Sequence, residues 1–156
     1  MFQLSRSGEY AIRAMVYLAV RNTNDTISIA EISKAEETPE TFLRKIVQQL
    51  IRAKLLRSVR GVRGGIALAR TPLQITMLDI IEAVEGPIFL NKCLIGPNEC
   101  ERWTWCPVHN VWGDAQEKLL GVLRAKTLIV LANEREAFYA NFISNKQLPH
   151  ALHVVG

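Results

Sequence analysis

The segment from Thr38 to Ala53 constrains the fold more than any other part of the chain. Thr38 is a typical N-cap residue and Pro39 suits the first helical position, so we expect a helix from Pro39 to about Ala53. Apolar pairs repeat every four positions, which places them on one side of a helix with about 100° per residue. The pairs are Phe42 with Leu43, Ile46 with Val47, and Leu50 with Ile51. The opposite side carries hydrogen-bond donors and no acid: Thr41, Arg44, Lys45, Gln48 and Arg52.

The flanking segments predict a winged helix–turn–helix around this helix. A first helix is expected from about Ser5 to Val20, and Ser28 with Glu31 forms a capping box that opens a short second helix. After the patterned helix, residues 55–59 and 66–69 are typical of two short strands joined by a turn rich in arginine and glycine. We therefore expect a mainly α fold with a small β-hairpin wing, followed by a long dimerisation helix.

The cationic residues are concentrated in the same part of the chain. The net charge is only +4, but residues 41–78 contain eight Lys and Arg and no Asp or Glu. This concentration of positive charge favours binding to a polyanion, with DNA, RNA or an anionic membrane as candidates. A merely solvated cationic face has the same composition. The order of the elements favours double-stranded DNA, because the major groove admits a helix while a hairpin reaches phosphates or the minor groove. The candidate DNA-binding residues are Ser28, Thr38, Thr41, Arg44, Lys45, Gln48, Arg57, Arg60 and Arg63.

The second half of the chain predicts further helices. Thr76 and Asp79 cap a helix that runs through Val84 and stops at Gly86. A long helix from Pro107 to about Lys126 carries a heptad-like apolar seam, which we interpret as a homodimer contact, although packing within one chain could use the same face. The seam consists of Val108, Trp112, Ala115, Leu119 and Val122, widened by Val111 and Leu123. Thr127 and then residues 133–136 look like caps of a final helical segment, and residues 144–156 look like a loosely held tail.

These patterns divide the chain into four parts. We expect a winged helix–turn–helix DNA-binding domain at 1–87, a loop at 88–107 whose cysteines are expected to bind a metal cluster, dimerisation helices at 108–143 and a tail at 144–156. The first residues lack the apolar run of a signal peptide and no stretch approaches 18 apolar residues, so we expect a cytoplasmic protein with no membrane partner. No catalytic triad, phosphate-binding glycine loop or carboxylate pair can be picked out, so we do not expect an enzyme.

All three cysteines and one histidine fall within 17 residues, as Cys93, Cys100, Cys106 and His109. A reducing compartment argues against disulfides, so the pattern C-x6-C-x5-C-x2-H points to metal binding. Structural zinc sites more often contain C-x2-C knuckles, whereas these longer separations suit an iron–sulfur cluster. His109 lies one helical turn beyond Cys106, so its ring can face the same point as the sulfur. Zinc, or three free thiols beside a surface histidine, are the alternatives.

Several segments together resemble the Rrf2 family of bacterial winged helix–turn–helix regulators. They are LSRSGEYAIRAMVYLA, ISIAEIS, SVRGVRGGIALAR, IEAVEGP and CPVHNVW, in family order between about Met1 and Asn133. The family includes the iron–sulfur cluster regulator and the nitric-oxide-sensitive repressor. The resemblance implies a homodimer joined by the long helix, with a cluster near the interface whose oxidation, loss or nitrosylation changes DNA affinity. It also implies that the helix at 39–53 reads DNA and that Arg60 reaches the minor groove from the wing.

The resemblance implies three cysteine ligands and leaves two candidates for the fourth ligand. Cys93, Cys100 and Cys106 match the family's cluster cysteines, and His109 matches members that hold a 2Fe–2S centre. Other members hold a 4Fe–4S centre with an acidic side chain from the partner's first helix, and Glu9 of the partner subunit matches that position. A 2Fe–2S centre is therefore favoured, with 4Fe–4S as the alternative. The chain departs from the family pattern in two places. Its first cysteine interval is one residue longer than is usual in these regulators, and Arg44 stands where the iron–sulfur cluster regulator has a Glu that can select cytosine.

The hypothesis is a dimeric DNA-binding regulator whose operator affinity is set by an iron–sulfur cluster. A cluster-free regulator of the same fold, using zinc or thiols, is the alternative.

Overall fold

The computed structural model describes residues 3–21 and 25–147. These residues form six α-helices and one two-stranded antiparallel hairpin, which confirms the predicted fold class. The helices are α1 (Arg6–Arg21), α2 (Ile29–Ala35), α3 (Glu40–Arg52), α4 (Met77–Glu85), α5 (His109–Ala125) and α6 (Leu128–Gln147). The strands are β1 (Leu56–Val59) and β2 (Gly65–Leu68). Short 3₁₀ turns occupy Pro72–Gln74, Lys92–Leu94 and Pro97–Glu99.

The main core lies between α1, α3, α4 and the first turns of α6. Met15 of α1 and Leu43 and Leu50 of α3 are completely buried in it. Leu128 and Ala132 of α6 belong to the same cluster, with 0% and 3% of their surface exposed. The core around α1 and α3 therefore includes a segment from outside the predicted 1–87 domain.

The start of α3 differs in detail from the prediction. Pro39 is the N-cap and the helix begins at Glu40, while Thr38 is buried and its hydroxyl donates to the carbonyl of Glu36. The Thr38 side chain therefore stabilises the turn before α3 instead of capping the helix. Phe42, predicted on the buried side, is 52% exposed. It lies about 90° round the helix from the centre of the buried face, so an apolar pair repeat places it only at the edge of that face.

The wing is an antiparallel pair of strands with a third chain segment beside it. Leu56 pairs with Leu68 and Val59 with Gly65, and Ile27 forms a two-hydrogen-bond bridge with Ile66. A Cβ atom at Gly65 would lie 2.6 Å from the carbonyl oxygen of Ile27, so only glycine allows this approach. The bridge fixes the wing to the segment that leads into α2.

The later helices continue from a well-capped α4. Thr76 and Asp79 form the predicted capping box, and Gly86 ends the helix with a φ of 79°. The final helix starts at Leu128, directly after the predicted cap Thr127, but it runs without a break through residues 133–136, which were also predicted as a cap. Helix α6 also includes residues 144–147, and the rest of the predicted tail lies outside the described residues. In the described part of the chain, none of the helices has the length and apolar character needed to cross a membrane.

Candidate nucleic-acid interface and cysteine loop

The outer side of α3 presents the predicted polar residues to solvent. Its buried side consists of Leu43, Ile46, Val47 and Leu50, which leaves the opposite side free. The Arg44 guanidinium also forms an i, i+4 ion pair with Glu40 in the first turn of the helix. Arg44 is therefore partly neutralised by a neighbouring acid that lies just before the acid-free segment. The residues exposed on this face are Thr41, Arg44, Lys45, Gln48 and Arg52.

The wing exposes two of the three predicted arginines at its turn. Arg60 and Arg63 are exposed around Gly61, which adopts a φ of 120° that suits glycine. The hydroxyl of Thr26 donates to the carbonyl of Arg63 at 2.5 Å and anchors one end of the turn. Arg57 lies further back, on β1, where it lines a cavity of about 440 Å³. The arginines at the turn thus project from a braced hairpin.

The two candidate hydroxyl residues have different environments. Ser28 is exposed and its Oγ accepts a hydrogen bond from the backbone N–H of Glu31, so it caps α2 at the surface. Thr38 is only 3% exposed and its hydroxyl is taken by the turn. The structure therefore leaves Ser28 near the outer surface and places Thr38 inside.

The cysteine loop is a series of tight turns between α4 and α5. Cys93 lies in a 3₁₀ turn and is 6% exposed, whereas Cys100 and Cys106 are half-buried. None of the three forms a disulfide. The side-chain oxygen of Gln116 on α5 accepts from the N–H of Leu90 at 3.1 Å, which ties the start of the loop to that helix. The loop is thus tied to α5 by this hydrogen bond at its start, and its other end continues directly into α5.

His109 is the first residue of α5 and has an unusual environment. Its N–H donates to the carbonyl of Cys106 at 3.2 Å, and its ring lies edge-on to Trp103 with the ring centres 5.4 Å apart. Its Nδ1 atom is buried and has no hydrogen-bond partner among the described residues. Burying such an atom without a partner costs free energy, so the His109 Nδ1 is available to a water, a ligand or an ion.

The donor chemistry of this loop fits an iron–sulfur centre, but the single chain does not gather the donors. Three unpaired thiols and an orphaned imidazole nitrogen are the ligand types such a centre takes. Nevertheless, within residues 3–21 and 25–147, no group of three or more His, Cys, Asp and Glu side chains is placed to hold a metal ion. The expected convergence of the three sulfurs is therefore not seen in this conformation. Glu9 lies in the first turn of α1 and is exposed.

Helix α5 divides its predicted seam between two environments. Leu119, Leu120 and Leu123 pack on a second cluster with Leu78 and Ile81 of α4. The apolar side chains that remain exposed on or beside α5 are Val108, Val111, Trp112 and Val122. One part of the seam thus packs within the chain, and the other part remains free.

One polar cluster near the recognition helix was not predicted. Glu36, in the turn between α2 and α3, is a buried acid held by Arg13 of α1 and Arg135 of α6. Arg135 lies 99 positions from Glu36, so no local pattern links them. A carboxylate beside a helix–turn–helix turn was visible in the sequence, but nothing there indicated its burial.

Comparison with known proteins now adds to this geometry. A family model described as Rrf2, iron-dependent transcriptional regulator, matches residues 4–134. An HTH-type regulator of Aquifex aeolicus is 33% identical over 81% of this chain and 89% of its own. The regulator IscR of Cronobacter sakazakii is 30% identical over 86% of this chain and 82% of its own. In the solved structure of CymR, the global cysteine regulator of B. subtilis, the chain is 29% identical to this one and superposes with a TM-score of 0.64 over 86% of this chain and 98% of CymR.

These relatives confirm the expectation of a DNA-binding regulator and not an enzyme. The family match covers the helix–turn–helix, the wing, the cysteine loop and α5 in one continuous stretch. The chain belongs to the Rrf2 family of winged-helix transcriptional regulators.

Proposed function

We propose that this regulator binds its operator as a homodimer and that an iron–sulfur cluster at the cysteine loop controls its operator affinity. The observation that carries the proposal is the set of donors itself: three unpaired thiols in the loop before α5, and a buried His109 Nδ1 that has no partner among the described residues. Cys93, Cys100, Cys106 and His109 would hold the cluster, which supplies a centre sensitive to oxidation and nitric oxide. A 2Fe–2S centre is favoured by the histidine, with 4Fe–4S and Glu9 of the partner subunit as the alternative.

The DNA-reading role is proposed for α3 and the wing. Arg44 and Lys45 can donate to guanine and Gln48 to adenine in the major groove, and Thr41 can contact a base edge or a phosphate. Arg60 and Arg63 project from the wing turn, where they can reach phosphates or the minor groove. Ser28 and Arg57 remain further candidates for phosphate contacts.

The dimer is supported by the free part of the α5 seam. Apolar side chains that remain exposed along one helix face mark an interaction surface, and a two-fold reader matches palindromic half-sites. Val122 is 65% exposed, so Val122→Asn should raise the dimer dissociation constant by about 10- to 100-fold, because each interface contains two copies. Glu117→Asn is the matched control, since Glu117 is exposed about 140° round α5. Sedimentation velocity at several concentrations measures both, and equal dissociation constants would reject the α5 interface.

The cluster is tested on protein purified without oxygen. We expect iron and acid-labile sulfide, a visible absorption band, and a Mössbauer spectrum that distinguishes two irons from four. His109→Ala should change this spectrum if the histidine is the fourth ligand, whereas Glu9→Ala should change it if the partner's Glu9 is. Colourless, iron-free protein with all three cysteines reduced would refute the proposal.

A cluster-free thiol regulator is the second candidate function. It is favoured by the likeness to CymR and by the lack, among the described residues, of three His, Cys, Asp or Glu side chains placed to hold one metal ion. In that case metal analysis finds zinc or no metal, and mild oxidation of the cysteines still changes operator affinity.

A further inference from the structure

The turn between α2 and α3 contains a carboxylate that is almost completely buried. The Glu36 side chain is 7% exposed, and its residue follows α2 directly and precedes the left-handed Glu37 with a φ of 49°. The backbone N–H of Thr38 donates to the carbonyl of Ser33 at 3.0 Å, and the Ser33 hydroxyl donates back to the carbonyl of Thr38 at 2.7 Å. This turn is therefore held by a reciprocal pair of hydrogen bonds, and α3 begins directly after it.

Two arginines from other helices hold this carboxylate. Arg135 of α6 donates to Glu36 Oε1 at 2.6 Å, and Arg13 of α1 has its Nε 3.5 Å from Oε2. The Arg13 guanidinium also donates to the backbone carbonyl of Glu36. The guanidinium of Arg135 lies 5.9 Å from the centre of the Tyr17 ring, so it is further located by α1. A buried carboxylate depends on such partners, because leaving it unpaired inside the protein is costly.

The pairing connects α6 to the DNA-reading face by a continuous route. The cysteine loop leads into α5, and only Lys126 and Thr127 separate α5 from α6. Helix α6 then carries Arg135 to the turn before α3. A shift of α6 along α1 would move the anchor of that turn, since the Arg135–Glu36 hydrogen bond is short and charge-assisted, and such bonds are about twice as strong as neutral ones.

We infer that Glu36 and Arg135 are positioning residues for operator recognition, which couple the placement of α6 to the orientation of α3. This inference rests on the proposed DNA-reading role of α3 and goes beyond it, because neither residue needs to touch DNA. On this inference, a change in α5 and α6 reaches α3 through the Arg135–Glu36 pair.

The test compares Arg135→Met with Lys126→Met. Both remove one cation, and Lys126, in the linker before α6, pairs with Glu134 of α6 at 2.6 Å without reaching the turn. The probe is a DNA duplex selected by the purified full-length wild-type protein from a random-sequence library. We expect Arg135→Met to weaken binding by about 5- to 20-fold, within the range of site-to-site couplings, while Lys126→Met stays within about twofold. Arg135→Lys, which keeps the charge, should recover most of the affinity.

The salt dependence of binding separates positioning from contact. A positioning residue leaves the slope of log affinity against log salt unchanged, whereas a phosphate-contacting arginine lowers it by about one unit. A lower slope for Arg135→Met would overturn the inference, as would a lower melting temperature with unchanged affinity of the folded variant.

Amide hydrogen exchange provides a second readout that needs no DNA. Arg135→Met should speed exchange in residues 36–40 relative to Lys126→Met, and Glu36→Gln should do the same. Unchanged exchange in both variants would reject the coupling. If the wild-type protein enriches no duplex, the proposed function fails, and the exchange comparison still decides the mechanical link.

Discussion

Replacing Leu128 with alanine tests whether α6 belongs to the core of the DNA-reading module. Leu128 is fully buried in the same cluster as Met15 of α1 and Leu43 of α3, and its N–H donates to the carbonyl of Ile75 at 2.7 Å. The substitution keeps that backbone hydrogen bond and removes only apolar carbons. Its effect therefore reports side-chain packing.

The expected loss follows from the carbons removed. Leu→Ala deletes three buried carbons at about 0.8 kcal/mol each, or about 2.4 kcal/mol of transfer free energy. The cavity left behind adds to this, and fully buried Leu→Ala changes span about 2.7–5 kcal/mol. We expect a loss of about 3 kcal/mol in the free energy of unfolding. For a chain of this size the melting temperature should then fall by about 6–12 °C.

Leu73→Ala is the matched control, because it makes the same chemical change at a site that is 68% exposed. Its expected cost is below about 1 kcal/mol, since only about a third of the side chain leaves water on folding. Urea unfolding of both variants and the wild type at one protein concentration measures the difference, because the proposed dimer would make stability concentration-dependent. Equal losses in the two variants would refute the packing of α6 into the core.

Three further predictions concern the wing and the packing of α1. Arg60→Met should weaken operator binding and lower the slope of log affinity against log salt concentration by about one unit. The control Arg124→Met, which removes an exposed cation of α5, should leave that slope unchanged. Filter binding at several salt concentrations measures both variants. Gly65→Ala should cost about 1–3 kcal/mol of stability and weaken operator binding, because its Cβ would meet the backbone of Ile27. The control Gly113→Ala should not destabilise the protein, because nothing lies within 4 Å of its added Cβ. Thermal unfolding that ranks the two variants equally would contradict this. Burial, and then the hydrogen bond from its hydroxyl to Glu31, raise the pKa of Tyr17 above its usual 10.0, so the folded state holds this proton more tightly than the unfolded chain. The stability of the wild type relative to Tyr17→Phe should therefore be constant below about pH 10 and fall as the pH rises further; a rise in that difference would show the sign to be wrong.

The sequence by itself determined the features that depend on neighbouring residues. The amphipathic pattern of α3, the capping box of Thr76 and Asp79, and the glycine-rich turn of the hairpin are local, and each is found within a residue or two of its predicted position. The donor-rich face of α3 was predictable for the same reason, because a helix with one buried side must expose the other. The family resemblance followed from the order of these local motifs.

Only the tertiary structure decided which segments complete one another. No local pattern in the sequence of α6 shows that Leu128 enters the core of α1 and α3. The bridge of Ile27 with Ile66 and the pairing of Glu36 with Arg135 join residues 39 and 99 positions apart, and their free energy depends on the packing of everything between them. The same holds for the three cysteines. Their spacing indicated a common ligand, but whether the thiols meet depends on how the loop packs on α5, and in this chain they do not meet within the described residues.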